Sequence, residues 1–165
     1  MKVAIIMGSD SDFEIMKKAV EVLRDFNIEI ELTVASAHRT PGRVREFVEN
    51  CVKNDVKVFI AGAGCAAHLA GVVAAYTTRP VIGVPIASAP FDGWDSLLST
   101  VQMPGGIPVA TVAVNGAKNA ALFAAEILAV SDENMQKKLA DYRANMEAEI
   151  EKKASYVRKA AGENN

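Results

Sequence analysis

The chain holds two histidines, His38 and His68, and each stands where an apolar run gives way to a small or polar loop. His38 lies in SAHRTP (36 to 41), with Arg39 beside it. Imidazole titrates near neutrality, with a reference pKa of ~6.5, so it suits proton transfer at pH 7. The Arg39 guanidinium is a planar fork that donates two hydrogen bonds at once to a phosphate or carboxylate. His68 lies in AGAGCAAHLAG (61 to 71), whose glycines and alanines let backbone approach a ligand closely. A third stretch, Gly8-Ser9-Asp10-Ser11-Asp12, follows the first apolar run. Ser9 or Ser11 can cap the helix behind it, whose N-terminal amides favour an anion. A single cap does not need two serines and two aspartates, so the loop reads as a ligand loop as well. Cys65 has no acid–histidine arrangement in sequence to make it a nucleophile and reads as a small buried thiol. The two histidines lack the spacing and the third ligand of a catalytic zinc, so no metal is expected.

These loops need a scaffold, and the order of elements is legible. VAIIM (3 to 7) is a short continuous apolar run, as a parallel strand covered on both faces should be. Phe13, Met16, Val20 and Leu23 recur at helical spacing and predict an amphipathic helix over 12 to 26. Strands follow at 28 to 35, 56 to 62, 80 to 85 and 107 to 114. Helices follow at 41 to 54, with Pro41 in its first turn, at 66 to 78, at 116 to 130 and at about 132 to 160. Residues 88 to 106 read as a loop with a short helical segment. Strand and helix alternate without linker or low-complexity tract, which predicts one α/β domain over residues 1 to 165. Its parallel sheet is sandwiched between two helical layers. Ligands of such sheets bind beyond the carboxyl ends of the strands, where all three loops fall.

Two helices have a pattern of their own. Residues 116 to 130 are apolar around most of the circumference, which predicts burial on more than one side and favours a homo-oligomer. The last helix has a narrow stripe of Leu139, Tyr142, Met146, Ile150 and Val157 among many charges. It reads either as docked along one face or as projecting onto a neighbouring subunit.

Composition narrows the class. The chain has 165 residues, 50% hydrophobic, and a formal net charge of −2. It can bury a full core unaided and has no basic footprint for nucleic acid. The two cysteines form no framework, which predicts a reducing compartment and the cytoplasm. No stretch reaches the ~18 to 20 apolar residues of a membrane span. The position of a receiver-domain aspartate at the end of the third strand reads Ala61-Gly62-Ala63. GSDSD is a poor match to a flavodoxin phosphate loop, and no GxGxxG or GxxxxGK[ST] occurs.

Taken together, MGSDSD (7 to 12), SAHRTP (36 to 41), AGAGCAAHLAG (61 to 71), PVIGVP (80 to 85), LLSTVQMPGGIPVATVAV (97 to 114) and KNAALFAAEIL (118 to 128) resemble the class I N5-carboxyaminoimidazole ribonucleotide mutases, the PurE family. The segments spread over most of the chain in the family's order. The resemblance implies a three-layer sandwich with a flavodoxin-like parallel sheet and a projecting C-terminal helix. It also implies a homo-octamer with sites between subunits. The implied reaction belongs to de novo purine biosynthesis. A carboxylate moves from the exocyclic nitrogen of an aminoimidazole ribonucleotide to a ring carbon, without metal, biotin or ATP. By position, Ser9, Asp12 and Arg39 match the residues for the ribose and phosphate end, with Ser36 in the same loop, and His38 matches the general acid/base. Ala66, His68 and Leu69 fall in the loop that closes over the carboxylate or carbon dioxide. Coupling to the ATP-dependent synthetase that makes the substrate is left open.

Two positions depart from the family pattern: Cys65 replaces a glycine and Ala70 replaces a proline. The first is expected to narrow the pocket and the second to loosen the loop. Two other readings stand beside the mutase. One is an aminoimidazole ribonucleotide carboxylase using free carbon dioxide; that sister group lacks the pair kept here as His68-Leu69. The other is a non-catalytic nucleotide-binding paralogue.

Overall fold

The computed structural model describes residues 1–162. Its strands are β1 (Lys2–Met7), β2 (Glu29–Val34), β3 (Val56–Gly64), β4 (Val81–Ile86) and β5 (Ala110–Thr111). They form one parallel sheet in the order β2-β1-β3-β4-β5. Among the described residues the helices are α1 (Phe13–Asp25), α2 (Pro41–Lys53), α3 (Leu69–Ala75), α4 (Trp94–Val101), α5 (Ala117–Ala129) and α6 (Glu133–Ala160), with a 3-10 turn at Asp10–Asp12. This strand order is flavodoxin-like, and it reverses direction between β1 and β3.

Central strands are apolar on both faces because each face is roofed. Ile5, Ile60 and Ile82 belong to a core shared with α1 and α5, whereas Ala4, Ile6 and Phe59 belong to a second core shared with α2 and α3. β2 lies at the sheet edge, where Leu32 and Val34 remain exposed. A close approach fixes α1 over the sheet. A Cβ on Gly62 of β3 would stand 2.5 Å from Met16 Sδ, so the strand carries no side chain where the helix crosses it.

Two expectations are corrected. The fifth strand pairs over two residues, not 107 to 114. Pro108 has no N–H for a ladder, and beyond Thr111 the chain follows β4 through isolated bonds, Val112 N to Gly83 O and Asn115 N to Pro85 O. The third helix starts at Leu69 rather than 66, with His68 at its N-cap. On α5 one side is covered within the chain, whereas Phe123 is exposed. Ala117, Ala120, Ala121, Ala124 and Ala125 are fully buried within one chain, with α1, α6 and the sheet as neighbours.

α6 is anchored by its first half. Asp132 caps it by accepting from Met135 N at 2.7 Å, and Lys138 Nζ donates to Phe26 O at 2.8 Å. Tyr142 packs on the Phe26 ring, with centroids 5.7 Å apart. Beyond this, Met146, Ile150 and Val157 are exposed, so the predicted stripe splits into a docked and an uncovered half. None of the described helices is long and apolar enough to cross a membrane.

Candidate active site

Three loops leave the carboxyl ends of β1, β2 and β3 and enclose one cleft of about 710 Å3. Their bases are tied to the sheet: Gly8 N donates to Gly62 O at 3.1 Å and Ala35 N to Met7 O at 2.9 Å. Every residue singled out in the sequence lines this cleft: Ser9, Asp12, Ser36, His38, Arg39, Ala66, His68 and Leu69.

The first loop folds on itself as a capping box. Ser9 caps the 3-10 turn, and its own N–H is accepted by Asp12 Oδ2 at 3.0 Å. Ser11 Oγ lies 3.0 Å from Ser9 Oγ, so the two hydroxyls form a short polar ridge. Asp12 is buried, and burial pushes its carboxyl up from the ordinary 3.8. Backbone bonds from Ser9 and Gly8, and the Arg39 cation, pull the other way.

The second loop is braced before it presents its charged residues. Thr40 N donates to Ser36 O at 2.9 Å, Ser36 N to Thr40 Oγ1 at 2.9 Å, and Arg39 N to Ser36 Oγ at 3.1 Å. From this turn the Arg39 side chain reaches Gly8 O, at 3.3 Å, which sets its guanidinium against the first loop. His38 points to the third loop, where its Nε2 lies 2.7 Å from His68 Nδ1.

The third loop turns sharply at Cys65, whose φ of 53° is left-handed. A glycine adopts that conformation freely, whereas a cysteine there costs about 1–2 kcal/mol. Contrary to the expectation of a buried thiol, Cys65 is exposed and lines the cleft, with Sγ 3.2 Å from Ser88 Oγ. The buried thiol is Cys51, pushed up to about 12 chiefly by burial. Ala70 sits in the first turn of α3, where a proline and an alanine both satisfy helix geometry, and its side chain is buried.

Glu14 and Ser88 line the cleft without having been assigned to it from the sequence. For Ser88 the signal was present, since it follows the apolar run of β4 and thus lies on the same edge of the sheet. Among the described residues no group of three His, Cys, Asp or Glu side chains is arranged to hold a metal ion.

Comparison with known proteins bears on what such a cleft does. The family model described as AIR carboxylase matches residues 2–149. The chain belongs to the AIR carboxylase family. Members similar to it include the N5-carboxyaminoimidazole ribonucleotide mutase of Thermotoga maritima, 52% identical over 93% of this chain and 90% of that protein. The N5-carboxyaminoimidazole ribonucleotide mutase of Pyrococcus abyssi is 57% identical over 88% of this chain and 83% of that protein. In structure, the family fold is matched by Treponema denticola PurE with a TM-score of 0.87 at 31% identity, covering 95% of this chain and 98% of that one. The three-layer parallel architecture expected from the sequence is therefore that of the AIR carboxylase family.

Proposed function

We propose that this chain is an N5-carboxyaminoimidazole ribonucleotide mutase, an isomerase of de novo purine biosynthesis. The observation that carries the reading is the meeting of three loops in one cleft, with His38 and Arg39 presented side by side from the braced Ser36–Thr40 turn. Relatives that bear that name over most of their length support it.

The side chains fit the reaction. Arg39, with Ser9, Asp12 and Ser36, takes the ribose and phosphate end of the substrate, the guanidinium neutralising phosphate and the acidic and hydroxyl groups binding ribose. The bond between the exocyclic nitrogen and the carboxylate breaks, the nitrogen gains a proton, and carbon dioxide is released within the cleft. Ala66 and Leu69 crowd that space and hold the gas against the ring, replacing an encounter by a positioned step. The ring carbon then bonds to carbon dioxide and loses its proton. His38 gives the first proton and takes the second, so one residue serves both directions and the sum of atoms is unchanged. Assembly as a homo-octamer, with sites completed between subunits and with the uncovered half of α6 packed on a neighbour, belongs to the same proposal, as do a cytoplasmic location and coupling to the ATP-dependent synthetase that supplies the substrate.

A second reading, direct carboxylation of aminoimidazole ribonucleotide, is favoured by the description of the family model itself. One assay separates them. The purified chain, without ATP or added metal, is given either N5-carboxyaminoimidazole ribonucleotide or aminoimidazole ribonucleotide with bicarbonate, and the ring-carboxylated product is followed spectrophotometrically. Fast isomerisation supports the mutase. Fast bicarbonate-dependent carboxylation without isomerisation overturns it, and binding with no turnover of either substrate leaves the non-catalytic paralogue.

A further inference from the structure

We infer that His38 and His68 act as one proton-relay pair in which His68 sets the tautomer of His38; this rests on the reading of His38 as the residue that moves the proton. His38 Nε2 and His68 Nδ1 are 2.7 Å apart, with the rings 81° from coplanar and their centroids 4.9 Å apart. At that separation one nitrogen carries the hydrogen and the other accepts it.

The consequence is a rule for both rings. If the bridging hydrogen is on His38 Nε2, His68 Nδ1 is bare, and the two neutral rings both carry their hydrogen on Nε2. His38 Nδ1 is then a base. If the hydrogen is on His68 Nδ1, both neutral rings carry it on Nδ1, and His38 Nδ1–H is an acid. Among the described residues no hydrogen bond engages His38 Nδ1 or His68 Nε2, which leaves the two outer nitrogens for exchange.

Proton movement through the pair therefore balances without stored charge. A proton gained at His38 Nδ1 shifts the bridging hydrogen from His38 Nε2 to His68 Nδ1, and His68 Nε2 releases one. That sequence leaves His38 as an acid; its reverse, in which His38 Nδ1 gives up its proton and His68 Nε2 takes one, restores it as a base. Two imidazolium rings would aim N–H groups at each other across this contact, so the pair carries at most one positive charge while the contact lasts. The other titratable and charged groups lining the cleft are Asp12 and Glu14 from the first loop side, Arg39 beside His38, and Cys65 beside the third turn. A reaction that delivers one proton and withdraws another in each turnover uses both tautomers in alternation. His68 is thus a positioning residue that works through His38.

The chain's two histidines make the test direct, because ring labelling with 15N gives four nitrogen signals. Long-range 1H–15N correlations are recorded against pH for the full chain, for His68→Ala and for His68→Gln, together with kcat and KM of isomerisation. The wild-type rings are expected to titrate in two separated steps and to share a tautomer when both are neutral. In His68→Ala, His38 is expected to titrate in one step with mixed tautomers. Its kcat should fall by about tenfold or more with an altered pH profile, while KM stays within about threefold. His68→Gln should restore part of kcat, since a carboxamide donates or accepts at His38 Nε2. Independent titration of the two wild-type rings, or an unaltered pH profile of kcat in His68→Ala, overturns the pair. Coupled titration in a protein without isomerase activity refutes the mutase and supports the pair, whereas isomerase activity with independent rings refutes the pair alone.

Discussion

His38 and His68 meet although the strands that carry them are not neighbours: β1 runs between β2 and β3, and the two side chains close over its end. Adjacent strands lie ~4.8 Å apart, so the two loops stand roughly 10 Å apart at their bases and must lean inward for imidazole nitrogens to touch. The bracing of Ser36 with Thr40 and the sharp turn at Cys65 aim the two rings at each other. Replacement of His38 by asparagine keeps a polar group of similar reach but removes the titrating nitrogen. His38→Asn is expected to bind substrate within a few-fold of wild type and to lose about 100- to 10,000-fold in kcat. Single-turnover kinetics beside equilibrium binding checks both halves of that statement.

Arg39 presents its charge to the cleft while bonded to Gly8 O, and its guanidinium has further donors for an anion. Arg39→Ala should weaken substrate binding by about 1.5–3 kcal/mol. The corresponding nucleoside, which has no phosphate, should bind the two proteins equally. Calorimetric titration with both ligands separates a phosphate role from a general loss of the loop.

Asp12 gives a pH signature. Burial raises its carboxyl above the ordinary 3.8, so between the two values the native state holds a proton that the unfolded chain has released. Stability from this group accordingly falls as pH rises through that window, and the cost of the buried charge is complete at neutral pH. Asp12→Asn keeps an oxygen for Ser9 N and avoids the charge. The Tm of the variant minus that of the wild type should therefore be larger near pH 7 than near about pH 4. A difference that is constant with pH would put the native carboxyl at its ordinary value.

The two thiols should separate cleanly. Cys51 is buried and pushed up to about 12, whereas Cys65 opens on the cleft. A small thiol reagent at neutral pH is expected to modify Cys65 alone in the native protein and both after denaturation. Substrate should slow the native reaction. Mass spectrometry of digested, labelled protein identifies the modified residue.

Gly62→Ala tests how tightly α1 sits on the sheet. The added Cβ falls 2.5 Å from Met16 Sδ, and Met16 is itself fully buried. Repacking at that site should cost about 1–3 kcal/mol, read as a lower urea midpoint with an unchanged slope.

The alternation of strand and helix was legible because covered parallel strands leave continuous apolar runs, as in VAIIM and VKVFIAG. Ligand loops were legible because polar and titratable residues interrupt those runs at one end of the sheet. What local pattern does not carry is which strands lie side by side, so the contact of His38 with His68 across β1 was out of reach. The extent of β5 was misread for a related reason. IPVATVAV has the composition of a strand, but pairing depends on an edge partner and on N–H groups that Pro108 lacks. Cys65 looked like a core thiol by residue type alone; its left-handed backbone, dictated by the turn, swings it outward.

The alanine face of α5 has one more consequence. Ala117, Ala120, Ala121, Ala124 and Ala125 have no side-chain torsions to freeze, so in this contact only the side chains of α1 and α6 lose rotamer entropy. The α5 side of the contact also has no side chain that can hop between rotamers. Backbone approach, not side-chain interlocking, is what holds α5 in place, so the seam tolerates little added volume at these five positions.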